Sequence, residues 1–97
     1  MNPWSKKQIG MVVLTLFCFI LCGLSGCSQE AKKERHWKRA EKYFSENKLR
    51  EAIIEYKNVI QIDPNHATAR HKLGLAFLGT GQFREAFSEL SKSLELN

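Results

Sequence analysis

Leu49-Arg50-Glu51-Ala52 and Phe83-Arg84-Glu85-Ala86 stand thirty-four residues apart, and that step governs the chain from Lys33 onward. The same shift sets Ala40 on Gly74, Tyr43 on Phe77, Tyr56 on Leu90, Ile60 on Leu94 and Ile62 on Leu96. A fixed period of this length marks a repeat architecture, in which one unit cannot bury its apolar face alone and stacks on the next. Each unit reads as two helices. Leu49, Ala52, Ile53, Tyr56, Val59 and Ile60 recur at steps of three and four, the spacing of one helix face, and Phe83, Ala86, Phe87, Leu90 and Leu94 repeat it. Before them come Trp37, Ala40, Tyr43 and Phe44 in the first unit, and Leu73, Ala76 and Phe77 in the second. Asp63-Pro64 ends a helix, because proline lacks an amide hydrogen and restricts the residue before it. Gly79-Thr80-Gly81 makes the turn of the second unit and Asn47-Lys48 that of the first, with Asn47 in the place of Gly81. Asparagine is the usual substitute for glycine where the backbone turns left-handed.

This pattern resembles the tetratricopeptide repeat over residues 33–97, as two full units. The family signature asks for small residues where its two helices cross, and Ala40, Gly74, Ala52 and Ala86 supply them. It asks for an aromatic one turn later in the first helix, met by Tyr43 and Phe77, and for a closing proline, met by Pro64. Leu73-Gly74-Leu75-Ala76-Phe77 is the most specific stretch. His36 and Arg39 depart from the pattern where large apolar residues are usual, and Arg70 replaces the usual tryptophan. An end repeat without a neighbour on that face accounts for such departures. The resemblance implies an all-α fold, a short right-handed solenoid of two helix-turn-helix repeats.

The N-terminus carries a different message. Lys6 and Lys7 precede a stretch from Ile9 to Leu24 without a charged residue, and all ten acidic residues follow Cys27. A positive start, an apolar run and small residues form the layout of a secretory signal. This uncharged run of sixteen residues falls short of the ~20 that span a hydrocarbon core. Leu24-Ser25-Gly26-Cys27 resembles the lipobox of bacterial lipoproteins, in which the cysteine sulfur takes a diacylglyceryl group and the bond before it is cut. That resemblance implies residues 1–26 as signal peptide, residues 27–32 as lipidated N-terminus and linker, and membrane attachment through Cys27. Ser28 in place of an aspartate implies the outer membrane, facing the periplasm. Residues 33–66 and 67–97 are then the two repeats.

Size and chemistry exclude most enzymes. Without the signal segment seventy-one residues remain, too few for a barrel or a doubly wound sheet. Cys18 and Cys22 would leave with the signal, and Cys27 would be modified, so a disulfide, a zinc site and a thiol nucleophile lack ligands. His66 and His71 are five apart, not the spacing that places two imidazoles on one helix face, and no phosphate-binding glycine loop occurs. The reading is of a non-catalytic protein without cofactor or metal. The run from Lys32 to Lys42 holds six basic residues against two acidic ones, suited to anionic headgroups or simply to solvent. Export leaves no nucleic acid to bind.

A groove is the expected working surface. By resemblance to the family it is lined by Glu34, Trp37, Glu41, Phe44 and Ser45, then by Thr68, His71, Leu75, Leu78 and Gly79. The spacings 34, 37, 41, 44 and 68, 71, 75, 78 each trace one helical stripe. Trp37 and Phe44 are aromatic anchors for a partner segment, or else pack on their own neighbours. The family's lysine and asparagine carboxylate clamp is not expected, since Trp37 and Glu41 stand in its place. The expected function is a membrane-anchored scaffold or assembly factor for an export, pilus or outer-membrane machinery, binding a protein or peptide partner. The alternative is the beginning of a longer array with no independent binding, for which Phe87, Leu90 and Leu94 would form an open, self-associating apolar end.

Overall fold

In the computed structural model, residues 5–97 are described, except for the side chains of residues 19–27. The described residues form four α-helices and no strand: α1 (Lys6–Ser45), α2 (Leu49–Ile62), α3 (Ala67–Gly79) and α4 (Phe83–Leu96). The chain divides into two compact units, Met1–Glu30 and Ala31–Asn97. In the first, Ile9, Met11, Leu14 and Phe17 are exposed, and the Thr15 hydroxyl donates to the Met11 and Val12 carbonyls. Among the described residues no helix is long and apolar enough to cross a membrane. The side chains of residues 19–27, which take in the end of the apolar run and Cys27, on which the lipidation expectation rests, lie outside the described residues.

In the second unit the thirty-four-residue step reappears in the hydrogen bonds. Asn47 has φ 60° and Gly81 has φ 79°, the left-handed conformation expected at both turns. Lys48 N–H donates to Tyr43 O at 2.8 Å and Asn47 N–H to Phe44 O at 3.1 Å. Their counterparts are Gln82 N–H to Phe77 O at 2.9 Å and Gly81 N–H to Leu78 O at 3.1 Å. Both turns are Schellman caps, which satisfy the last carbonyls of α1 and α3 and reverse the chain into α2 and α4. Between the repeats, α2 stops at Ile62 before Pro64, and the His66 imidazole accepts the Ala69 N–H at 3.1 Å to cap α3.

The core follows the small-residue positions. Ala40, Ala52, Ala76 and Ala86 are fully buried where the helices meet, with Ile53, Tyr56, Leu73 and Phe77 packed between them. Each of those four large side chains contributes roughly 1.5–3 kcal/mol by burial. Gly74 marks a close approach of α3 and α4. A Cβ there would lie 2.6 Å from Leu90 Cγ, so the missing methyl is what lets α4 close on α3.

Arg39 is exposed on α1, while the other two departures from the family pattern, His36 and Arg70, are half-buried and paired. His36 Nδ1 lies 2.6 Å from Glu55 Oε2, and thirty-four residues on Arg70 lies 2.8 Å from Glu89 Oε2. Both pairs tie the first helix of a repeat to its second, and the side chains of Arg70 and Glu89 are only 14% and 15% exposed. Arg70 also donates from Nε to Pro64 O at 2.8 Å. The shielded Arg70 charge requires a partner, and Glu89 supplies it; at the equivalent place in the first repeat Glu55 pairs with the His36 imidazole.

Candidate partner-binding surface

The stripe expected to line a groove is built by α1 and α3, and its two halves differ. In the first repeat the named side chains are already engaged. The Trp37 ring meets Tyr56 edge-on at 5.8 Å and stacks on His66 at 5.0 Å with an interplanar angle of 29°. Phe44 meets Tyr56 edge-on at 6.2 Å and carries Lys72 Nζ 5.0 Å from its ring centroid. Glu41 accepts the Tyr56 hydroxyl at 2.5 Å and lies 3.8 Å from Lys72 Nζ. Trp37, Glu41 and Phe44 are thus half-buried, and through Tyr56, His66 and Lys72 they lock α1 against α2 and α3.

Electrostatics agree with that locking role. Tyr56 is fully buried, and the loss of solvent raises its phenol well above the ordinary value, an effect strengthened by its hydrogen bond to Glu41 and by that carboxylate's charge. The phenol therefore stays a donor, and Glu41 stays oriented.

In the second repeat the equivalent side chains are open. His71, Leu75 and Leu78 are exposed, one turn apart along α3, with Thr68 and Gly79 exposed at the two ends of the same stripe. A cleft of about 340 Å3 adjoins them, lined by Thr68, His71, Ser93 and Leu94. Ser93 is buried there by donating to Ala67 O at 2.9 Å, which pins the end of α4 to the start of α3. A separate cleft of about 420 Å3 opens between α2 and α4 over Ile60, Leu73 and Phe77, rimmed by Lys57 and Arg84. It touches none of the stripe residues.

Sequence reasoning missed the residues that complete the first half of the stripe. His66 both caps α3 and supports Trp37, and Lys72 bridges Glu41 and Phe44. The position of His66 three residues after Asp63, at the start of a helix, was the one signal for the cap. Nothing in the spacing signalled the ring stack. What the surface can do chemically is bind: exposed leucines beside a histidine offer apolar contact and one hydrogen-bonding group. Among the described residues no group of three or more His, Cys, Asp or Glu side chains gathers to hold a metal ion.

Residues 40–81 match the family model described as TPR repeat, a span from the end of α1 through α2 and α3 to the turn at Gly81. No curated protein matches the chain. The match and the two capped hairpins agree on a tetratricopeptide helix-turn-helix fold. Repeats of this kind mediate the binding of protein partners and are typically non-catalytic interaction modules.

Proposed function

We propose that the chain is a lipid-anchored, non-catalytic scaffold that holds a segment of another protein along the α1/α3 stripe, at the surface of a bacterial envelope membrane. The observation that carries this reading is the exposed row His71, Leu75 and Leu78 on a helix whose counterpart, α1, has the matching positions filled. An apolar segment laid on this row covers two leucines that are 36% and 42% exposed, contributing about 1 kcal/mol each. That alone is weak. Confinement at the membrane offsets the weakness, because an anchored scaffold and an anchored or membrane-bound partner meet at raised effective concentration.

The anchor in this reading is Cys27, modified as in the lipoproteins whose lipobox Leu24-Ser25-Gly26-Cys27 resembles. More than one acyl chain on it would hold the protein stably, where a single chain holds only reversibly. Exposed Lys32, Arg35 and Lys38 stand within a dozen residues of that cysteine and suit anionic headgroups. Ser28 favours the outer membrane, and the role is that of an assembly factor for an export, pilus or outer-membrane machinery.

The test replaces Leu75 and Leu78 together with glutamate in the full chain, purified from its own membrane. Loss of the co-purifying partner with helical circular dichroism retained is the expected result. A partner retained by the double variant, or no partner on the parent, overturns the proposal.

A further inference from the structure

The internal repeat shows which face of α4 stands uncovered among the described residues. On α2, Leu49, Ile53, Tyr56 and Ile60 form a stripe that is covered: Ile53 is 7% and Tyr56 0% exposed, and Leu49 and Ile60 pack against the core. Thirty-four residues on, α4 carries Phe83, Phe87, Leu90 and Leu94 at the same places. Leu90 is held against Gly74, but Phe83, Phe87 and Leu94 are 69%, 74% and 77% exposed. Three large apolar side chains on one helix face are costly to leave in water, and the stripe contains no charged residue. In the first repeat the cover is α3, which brings Leu73, Ala76 and Phe77 into one cluster with Ala52, Ile53 and Tyr56.

A second copy has two ways to supply a cover, and charge separates them. In head-to-tail stacking, α1 of the next copy would play the part of α3. The positions of Ala69, Leu73 and Ala76, all buried in α3, are occupied in α1 by Arg35, Arg39 and Lys42, all exposed. Setting those cations on Phe83, Phe87 and Leu94 would desolvate them without a carboxylate on the stripe to receive them. The basic face of α1 is therefore a cap against stacking. The other way is symmetric: an uncharged apolar stripe is complementary to itself, and two α4 helices related by a two-fold axis cover each other.

We propose that the α4 stripe is a self-association surface, through which two copies of the chain pair α4 to α4 in a closed dimer that the cationic face of α1 prevents from growing into a filament. The stripe adjoins the row His71, Leu75 and Leu78 at the cleft shared by Leu94 and His71. The test is placed at Phe87, which does not line that cleft, so the dimer stands or falls apart from the partner-binding reading.

The test uses the full chain in detergent micelles. A photo-crosslinking phenylalanine analogue at position 87 is expected to join the residue 85–92 peptides of two copies, seen by mass spectrometry of the digest. Sedimentation in density-matched detergent is expected to give two protomers. Phe87→Glu is expected to weaken the dimer on the order of 100-fold, since two carboxylates would then face each other across the axis. Arg39→Glu should leave it unchanged. Adducts to peptides of α1, adducts only to another protein or to detergent, a monomer at high concentration, or a dimer that survives Phe87→Glu each overturn the proposal.

Discussion

Gly74→Ala places one methyl group where α3 and α4 meet, and the outcome can be worked from the geometry. In an exposed helix the exchange would stabilise by up to about 1 kcal/mol, because glycine loses more backbone freedom on folding. At this crossing the new Cβ would sit 2.6 Å from Leu90 Cγ and 2.7 Å from Leu90 Cδ2. Carbon pairs prefer about 3.5–4.0 Å, so Leu90 or the whole of α4 must shift by roughly 1 Å. Overpacking of that kind costs about 1–3 kcal/mol, which outweighs the helix gain. The parent should lose roughly 1 kcal/mol on Gly74→Ala, and about 1–3 kcal/mol on Gly74→Leu. Removing the obstacle should reverse the sign. In a Leu90→Ala background the two tightest contacts are gone and the next is the Ala86 carbonyl at 3.4 Å, so Gly74→Ala should then stabilise by up to about 1 kcal/mol. The two substitutions are thus coupled by about 2 kcal/mol in a double-mutant cycle. Urea denaturation of the full chain in detergent, followed by helical circular dichroism, reads all four corners. Equal effects of Gly74→Ala in both backgrounds, or stabilisation of the parent, would refute the close approach of α3 and α4 at this residue.

Other consequences can be checked with the same material. Cys27→Ala removes the sulfur that a thioether requires, so the variant should keep the apolar run and show no acyl mass, whereas the parent's mature N-terminus should carry one by mass spectrometry. Arg70→Met leaves Glu89 shielded without its guanidinium and should cost about 2–3 kcal/mol in urea midpoint terms, while Lys48→Met, which breaks the exposed pair with Glu46, should cost under about 0.5 kcal/mol. The folded chain holds the Tyr56 proton more tightly than the unfolded chain does, so that contribution is complete below the phenol's ordinary pKa near 10 and is lost as pH rises beyond it. The urea midpoint of the parent should therefore fall more steeply above pH 10 than that of Tyr56→Phe, and parallel profiles would count against the buried phenol as the cause.

The repeat was legible because it is written in residue size. Ala40 and Gly74, and Ala52 and Ala86, recur at one period, and all four are buried. Asn47 and Gly81 were readable for a similar reason, since a left-handed residue admits few side chains. The brackets from His36 to Glu55 and from Arg70 to Glu89 were not. Sequence pattern sees a polar residue at an apolar position, but the carboxylate that pairs with it stands nineteen residues away on another helix. The stripe's state of filling was equally hidden. Trp37 and His71 share a place in the pattern, yet Trp37 stacks on the ring of His66, which caps α3, while His71 is exposed. Periodicity gives the face of a helix, while occupancy depends on what comes next in space.

The proposed scaffold role is tested most directly by photo-crosslinking in the intact membrane from positions 75 and 78 on the α3 stripe, with Arg50 on the exposed side of α2 as control. The account predicts adducts from 75 and 78 to one and the same other polypeptide, lost when its cognate segment is deleted, and none from position 50. Adducts from all three positions alike, or none from 75 and 78 while the protein is folded and anchored, would contradict it.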